Sequence, residues 1–213
     1  MTAYFDPDAC DLAAFKGLTA RTLSSSDVPL AADIQDNAPI YDVSKLDDHL
    51  ADPKLRRILM AEWAQGLRGG AGIVVLQTAY ADCAPIDAAT RVYNDVIAAE
   101  KLADAGGADH FAAAGNNDRV WNSLQKLCLR EPATFAAYFA NPAIDAVCEA
   151  WLGPNYQMTA QVNLVRPGGG AQLAHRDYHL GFQTAGTSAQ YPAHVHDLSP
   201  VLTLQGAVAH SDM

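Results

Sequence analysis

Residues 156–182 read Tyr156-Gln-Met-Thr-Ala-Gln-Val-Asn-Leu-Val-Arg-Pro-Gly-Gly-Gly-Ala-Gln-Leu-Ala-His-Arg-Asp-Tyr-His-Leu-Gly-Phe182, and with them the chain changes character. Met158, Ala160, Val162 and Leu164 alternate with Gln157, Thr159, Gln161 and Asn163, a period of two that predicts a strand with one amide-rich face. Arg166-Pro-Gly-Gly-Gly-Ala-Gln172 then reads as a glycine-rich turn, and Arg166 beside it has two readings, a contact to an acidic substrate or, more commonly for an arginine at a turn, a solvent-facing side chain. It delivers His175-Arg-Asp177. In an extended segment residues i and i+2 point the same way, so His175 and Asp177 can offer an imidazole nitrogen and a carboxylate to one ion. Two histidines and one carboxylate on one face of an octahedron are the donor set of non-heme iron(II), and this pair would supply two of the three.

Upstream the pattern is helical. Asp52-Pro53 supplies an N-cap with proline at the first helical position, Leu55, Ile58, Leu59, Trp63 and Leu67 recur on one face, and Gly69-Gly70 closes the helix. Gly72-Ile-Val-Val-Leu-Gln-Thr78 predicts a strand, and Pro85 opens a second helix with Ile86, Ala89, Tyr93, Val96 and Ile97 on one stripe. From Asn117 to Gly153 the sequence predicts two or three further helices, with a break near Pro132 and a last helix from Asn141-Pro142 to Gly153. The first forty residues show no sustained period and read as an irregular arm. Downstream, Val201-Leu-Thr-Leu-Gln-Gly-Ala-Val208 is a strand candidate. One domain is expected, residues 1–213, helix-rich to about 153 with sheet from about 154.

Composition narrows the partners. A net charge of -10, from 24 acidic and 14 basic residues, repels nucleic acid and anionic membrane surfaces and favours a small-molecule ligand. Apolar runs such as Ile73 to Leu76 are strand-sized, far short of the roughly 20 residues that span a bilayer. The start lacks a basic and apolar leader pattern, and Cys10, Cys83, Cys128 and Cys148 are scattered without C-x-x-C spacing. Buried, reduced thiols and a cytoplasmic location are the expectation.

Spacing alone does not select the metal pair. With 7 histidines and 24 acidic residues in 213 positions, His-x-acid arises about once by chance, and His210-Ser-Asp212 is a second instance. The bland reading of His175 and Asp177 is a turn whose carboxylate accepts a backbone hydrogen bond beside a solvated histidine. Context separates the two instances: His175 follows an amide-faced strand and a glycine turn, the layout of a hairpin that brings ligands to a barrel mouth. The other histidines, His49, His110, His179, His194, His196 and His210, each have a reading that needs no metal, with His194-Val-His196 placed in a proline-flanked loop and His179 either on a strand surface or beside the metal without ligating it.

Residues 156–182 resemble the metal-site segment of the phytanoyl-CoA dioxygenase-like enzymes, and Gly72-Ile-Val-Val-Leu with its Pro85 helix resembles their N-terminal strand and helix. The resemblance covers about residues 68 to 213 and implies an α+β fold, a helical N-terminal part plus an incomplete double-stranded β-helix (jelly roll). It implies iron(II) held by His175 and Asp177, 2-oxoglutarate as cosubstrate beside Asn163 and Gln161, O2 as the other cosubstrate, and hydroxylation of a small organic substrate. Related halogenases replace the carboxylate by a small residue, so the retained Asp177 favours hydroxylation.

The pattern is not fully matched. A jelly roll takes about eight strands and the sequence after His175 has room for about two, so a C-terminally truncated family member is expected, with the third ligand and the 2-oxoglutarate arginine lying beyond Met213. Two rivals are a non-catalytic binding module on the same scaffold and a cupin-like enzyme using another metal. Gly168-Gly-Gly170 lacks the Lys-Ser/Thr of a phosphate loop, and neither G-x-S-x-G nor H-E-x-x-H occurs, which disfavours nucleotide-binding, hydrolase and metalloprotease classes.

Overall fold

The computed structural model describes residues 3–103, 117–169, 175 and 177–211. Helix dominates, two small sheets accompany it, and no closed barrel forms among the described residues, so the chain is α+β. The described chain divides into two compact units, Met1–Ala79 with Ala146–Tyr156 and His175–Gly206, and Tyr80–Asp145 with Gln157–Ala174 and Ala207–Met213.

In the first unit the arm is more ordered than its composition suggests. It carries α1 (Leu12–Thr19), capped by the Asp11 carboxylate, and then β1 (Asp33–Gln35) and β2 (Ala38–Asp42). The β1–β2 turn is Asp36-Asn37, both at positive φ, the conformation a two-residue hairpin demands and these two residue types tolerate best after glycine. A short α2 (Asp47–Ala51) leads to α3 (Pro53–Gly69), whose Asp52 cap accepts from the Lys54 and Leu55 amides at 2.8 and 3.0 Å. At its end Gly70 packs against the Gly66 backbone so closely that a Cβ there would lie 2.9 Å from it. The chain returns in β3 (Val75–Gln77), parallel to β2. Leu59 and Trp63 are fully buried with Tyr41 and Leu46, whereas Ile58, expected on the same face, turns to solvent. The Tyr41 hydroxyl donates to Glu62 at 3.0 Å, and burial followed by that carboxylate's charge raises its pKa.

In the second unit α4 (Ala84–Leu102) buries Ala89, Val92, Tyr93, Val96 and Ile97, close to the predicted stripe. Residues after it differ from expectation: Asn117–Val120 is a strand, β4, before α5 (Ser123–Arg130), α6 (Pro132–Phe139) and the start of α7 (Pro142–Leu152), whose residues from Ala146 on belong to the first unit. β4 pairs antiparallel with β5 (Val162–Val165), and Val120, Val162 and Leu164 join the α4 core. Only the last part of the predicted Gln157–Leu164 strand is laddered, because β4 is its one neighbour among the described residues. The glycine turn follows at once: Gly168 has φ +83, Gly169 donates its N–H to the Arg166 carbonyl at 2.8 Å, and a Cβ on Gly169 would strike Asn117.

Two more expectations are corrected. Val201–Val208 forms no strand; Ser199–Leu202 is a 3-10 turn and the rest runs unladdered. His194 and His196 lie not in a loop but on α9 (Ala193–Leu198), which follows the short α8 (Ala185–Ser188); two residues apart on a helix, they point about 200° apart and cannot share an ion. Cys10 and Cys83 are exposed rather than buried, and among the described residues no disulfide links the cysteines.

Candidate metal and cosubstrate site

His175 and Asp177 belong to the first unit. Among the described residues of this segment none is laddered: Asp177 and Tyr178 form a bend and His179 to Phe182 a turn, closed by the Gly181 amide on the Tyr178 carbonyl at 2.8 Å. The two side chains nevertheless converge, with His175 Nε2 3.3 Å from Asp177 Oδ1. His175 is the more enclosed, its side chain 19 % exposed against 34 % for Asp177. Its ring stacks on Phe182 at 4.5 Å between centroids, tilted by 24°, which fixes the imidazole plane. Leu180, buried in the same turn, anchors the segment. Two donors that each sit about 2.1 Å from one octahedral ion at right angles are about 3 Å apart, so this nitrogen and oxygen fit adjacent positions on one cation. No group of three or more His, Cys, Asp or Glu side chains is placed to hold a metal among the described residues.

Asn163 and Gln161 belong to the second unit. Asn163 is exposed on β5, directly opposite Arg119 of β4; Gln161 precedes the strand and is exposed. Arg166 does not face water alone: it grips Asp118 through Nε at 3.1 Å and through Nη2, and Lys101 Nζ reaches the other oxygen of Asp118 at 2.6 Å. Burial pushes the Asp118 carboxyl up, but the two cations outweigh it and hold it below the usual carboxylate range.

Other histidines are occupied elsewhere. His210 lies between Thr90 Oγ1 and the Tyr138 hydroxyl, each at 2.8 Å from one ring nitrogen, so both nitrogens are engaged; its partner in the alternative motif, Asp212, is outside the described residues, as is His110. His196 contacts the Ser188 carbonyl at 3.0 Å and packs on Phe5. His179 sits edge-on to Tyr191. Sequence reading does not single out Arg119 or Trp121, because Asn117–Val120 carries too few residues to show a period of its own between helical stretches.

No curated protein and no solved structure matches the chain. No helix among the described residues is long and apolar enough to cross a membrane. Residues 54–213, well over half the sequence, match the Phytanoyl-CoA dioxygenase (PhyH) family. With a family match of that extent, on a scaffold associated with iron(II)- and 2-oxoglutarate-type oxygenases and dioxygenase activity in general, the chain belongs to the phytanoyl-CoA dioxygenase family.

Proposed function

We propose that this protein is an iron(II)- and 2-oxoglutarate-dependent hydroxylase of a small organic substrate, a single family domain in which His175 and Asp177 are two of the three metal ligands. The convergence of His175 Nε2 and Asp177 Oδ1 to 3.3 Å carries the reading, supported by family membership. Bound iron supplies the activation of O2 that couples oxidative decarboxylation of 2-oxoglutarate to hydroxylation. The protein's part is positional. Phe182 holds the imidazole plane, and Asp177 would supply a negative charge that offsets a bound cation. Asn163, and Gln161 beside it in sequence, offer amide groups to the cosubstrate. The finer fold proposed is a jelly roll in which β5 is one inner strand.

The test is metal binding without turnover. Anaerobic titration of iron(II), or of manganese(II) as a redox-silent probe, into the full chain is compared with His175→Ala and Asp177→Ala. Each variant is expected to bind at least about tenfold more weakly, the loss of one of few ligands. Equal affinity in the parent and a His175→Ala/Asp177→Ala double variant would remove the reading and leave a non-catalytic binding module. Succinate release from 2-oxoglutarate, dependent on added iron and on both residues, is the second readout.

A further inference from the structure

The stretch that carries Phe182, the ring stacked on His175, has few ties to the rest of its unit. From His179 to Gly206 one side chain is buried, Leu180, and none joins the core around Tyr41, Leu59 and Trp63. Its hydrogen bonds close local turns and helices, with two exceptions among the described residues. The Phe5 amide donates to the Tyr191 carbonyl at 3.2 Å, and the Ala193 amide donates to the Ala3 carbonyl at 3.1 Å, so Tyr4 and Pro192 meet in an antiparallel bridge. The Phe5 ring lies 4.7 Å from the His196 ring, tilted by 38°. His196 in turn reaches the Ser188 carbonyl at 3.0 Å, so Phe5 braces α9 against the end of α8.

A run of short turns with few buried contacts and exposed backbone opens locally at low free energy. Residues 3–5 therefore supply most of the tertiary constraint on this stretch, and the constraint reaches the site in two steps. Tyr191, whose carbonyl accepts from Phe5, sets its ring edge-on to His179 at 6.2 Å between centroids, and His179 begins the turn that ends at Phe182. Phe182 then stacks on the imidazole of His175. All of these residues lie in the first unit. Metal ligands depend on the groups that orient them, and a displacement of about 1 Å in the supporting residues is enough to loosen a site.

We propose that residues 3–5 form a strap that positions the metal pair, with Phe5 as the positioning residue. Metal binding by the pair rests on the proposed function, whereas the placement of the His175 ring does not. Two variants of the full chain cut the strap in different ways. Phe5→Ala removes the ring. Ala193→Pro removes an amide donor at the first position of α9, where proline suits a helix, and Pro192, at φ -58 and ψ 143, already has the backbone that a residue before proline requires. In isotope-labelled, metal-free protein the nuclear Overhauser contact between the Phe182 and His175 rings is expected to weaken at least about twofold in each variant, and manganese(II) affinity to fall at least about fivefold. Phe5→Tyr, which keeps the ring and the amide, is expected to match the parent in both readouts. A strap that adds stability alone would lower the melting temperature and leave ring contact and affinity, measured below the transition, at the parent's values. That result overturns the proposal, as does a Phe5→Tyr variant that behaves like Phe5→Ala. If His175→Ala and Asp177→Ala leave manganese(II) binding unchanged, the functional reading falls, and the ring contact alone decides the strap.

Discussion

Asp118→Asn removes one negative charge and almost no volume, which makes it a clean probe of the ion cluster that joins β4, α4 and the glycine turn. The carboxylate is 7 % exposed and is gripped by Lys101 Nζ at 2.6 Å and by Arg166 Nε at 3.1 Å. Breaking a buried pair costs about 3–5 kcal/mol, and a hydrogen bond to a charged group about 1.5–3 kcal/mol. Lys101 and Arg166 are themselves 51 % and 46 % exposed, so both cations can return to water in the variant. The loss therefore sits at the low end, about 2 kcal/mol, which for a chain of this size lowers the melting temperature by about 4–8 °C. Circular-dichroism melts of parent and variant at pH 7 measure it. The sign with pH follows from the depressed pKa: the carboxylate's contribution is present above its unfolded value near 3.9 and is lost as pH falls through the folded value. The gap between parent and variant should close in acid and shrink in part with salt. A variant melting within about 1 °C of the parent at pH 7, or a gap unchanged at pH 3, would refute the reasoning.

His210 should make stability fall below neutrality. Thr90 Oγ1 already donates to the Ile86 carbonyl at 2.8 Å, so it accepts from the imidazole Nδ1–H, and Nε2 accepts from the Tyr138 hydroxyl. Burial holds this histidine below its ordinary range, with Asp87 opposing. The unfolded chain takes up the proton first, so the contribution is complete above about pH 6.5 and declines as pH drops from there toward the folded value; urea midpoints should follow that course in the parent and lose it in His210→Gln. Leu59→Ala, at a fully buried position, should cost about 2–5 kcal/mol in the same denaturation experiment. Asp52→Ala should cost about 1 kcal/mol by unseating the α3 cap, with helical signal reduced at intermediate urea.

The sequence by itself determined the helices that carry their own signals. Asp52-Pro53 and Gly70 bound α3, Pro132 separates α5 from α6, and Asn141 caps α7 through the Ala143 and Ile144 amides, because caps and stops are local hydrogen bonding and local sterics. It also determined the family, through a long stretch in which strand, turn and His-x-Asp follow in order. What only tertiary structure decided is pairing. A four-residue strand such as β4 has too little sequence to announce itself and exists because β5 completes its hydrogen bonds; Arg119 meets Asn163, and Arg166 meets Asp118, only through that register. The approach of His175 to Asp177 is likewise a tertiary matter, accompanied by a bend at residues 177–178 and by Phe182 stacking on the imidazole. Local pattern fixes where a backbone turns or coils, whereas which charges face each other depends on segments tens of residues apart closing the same ladder.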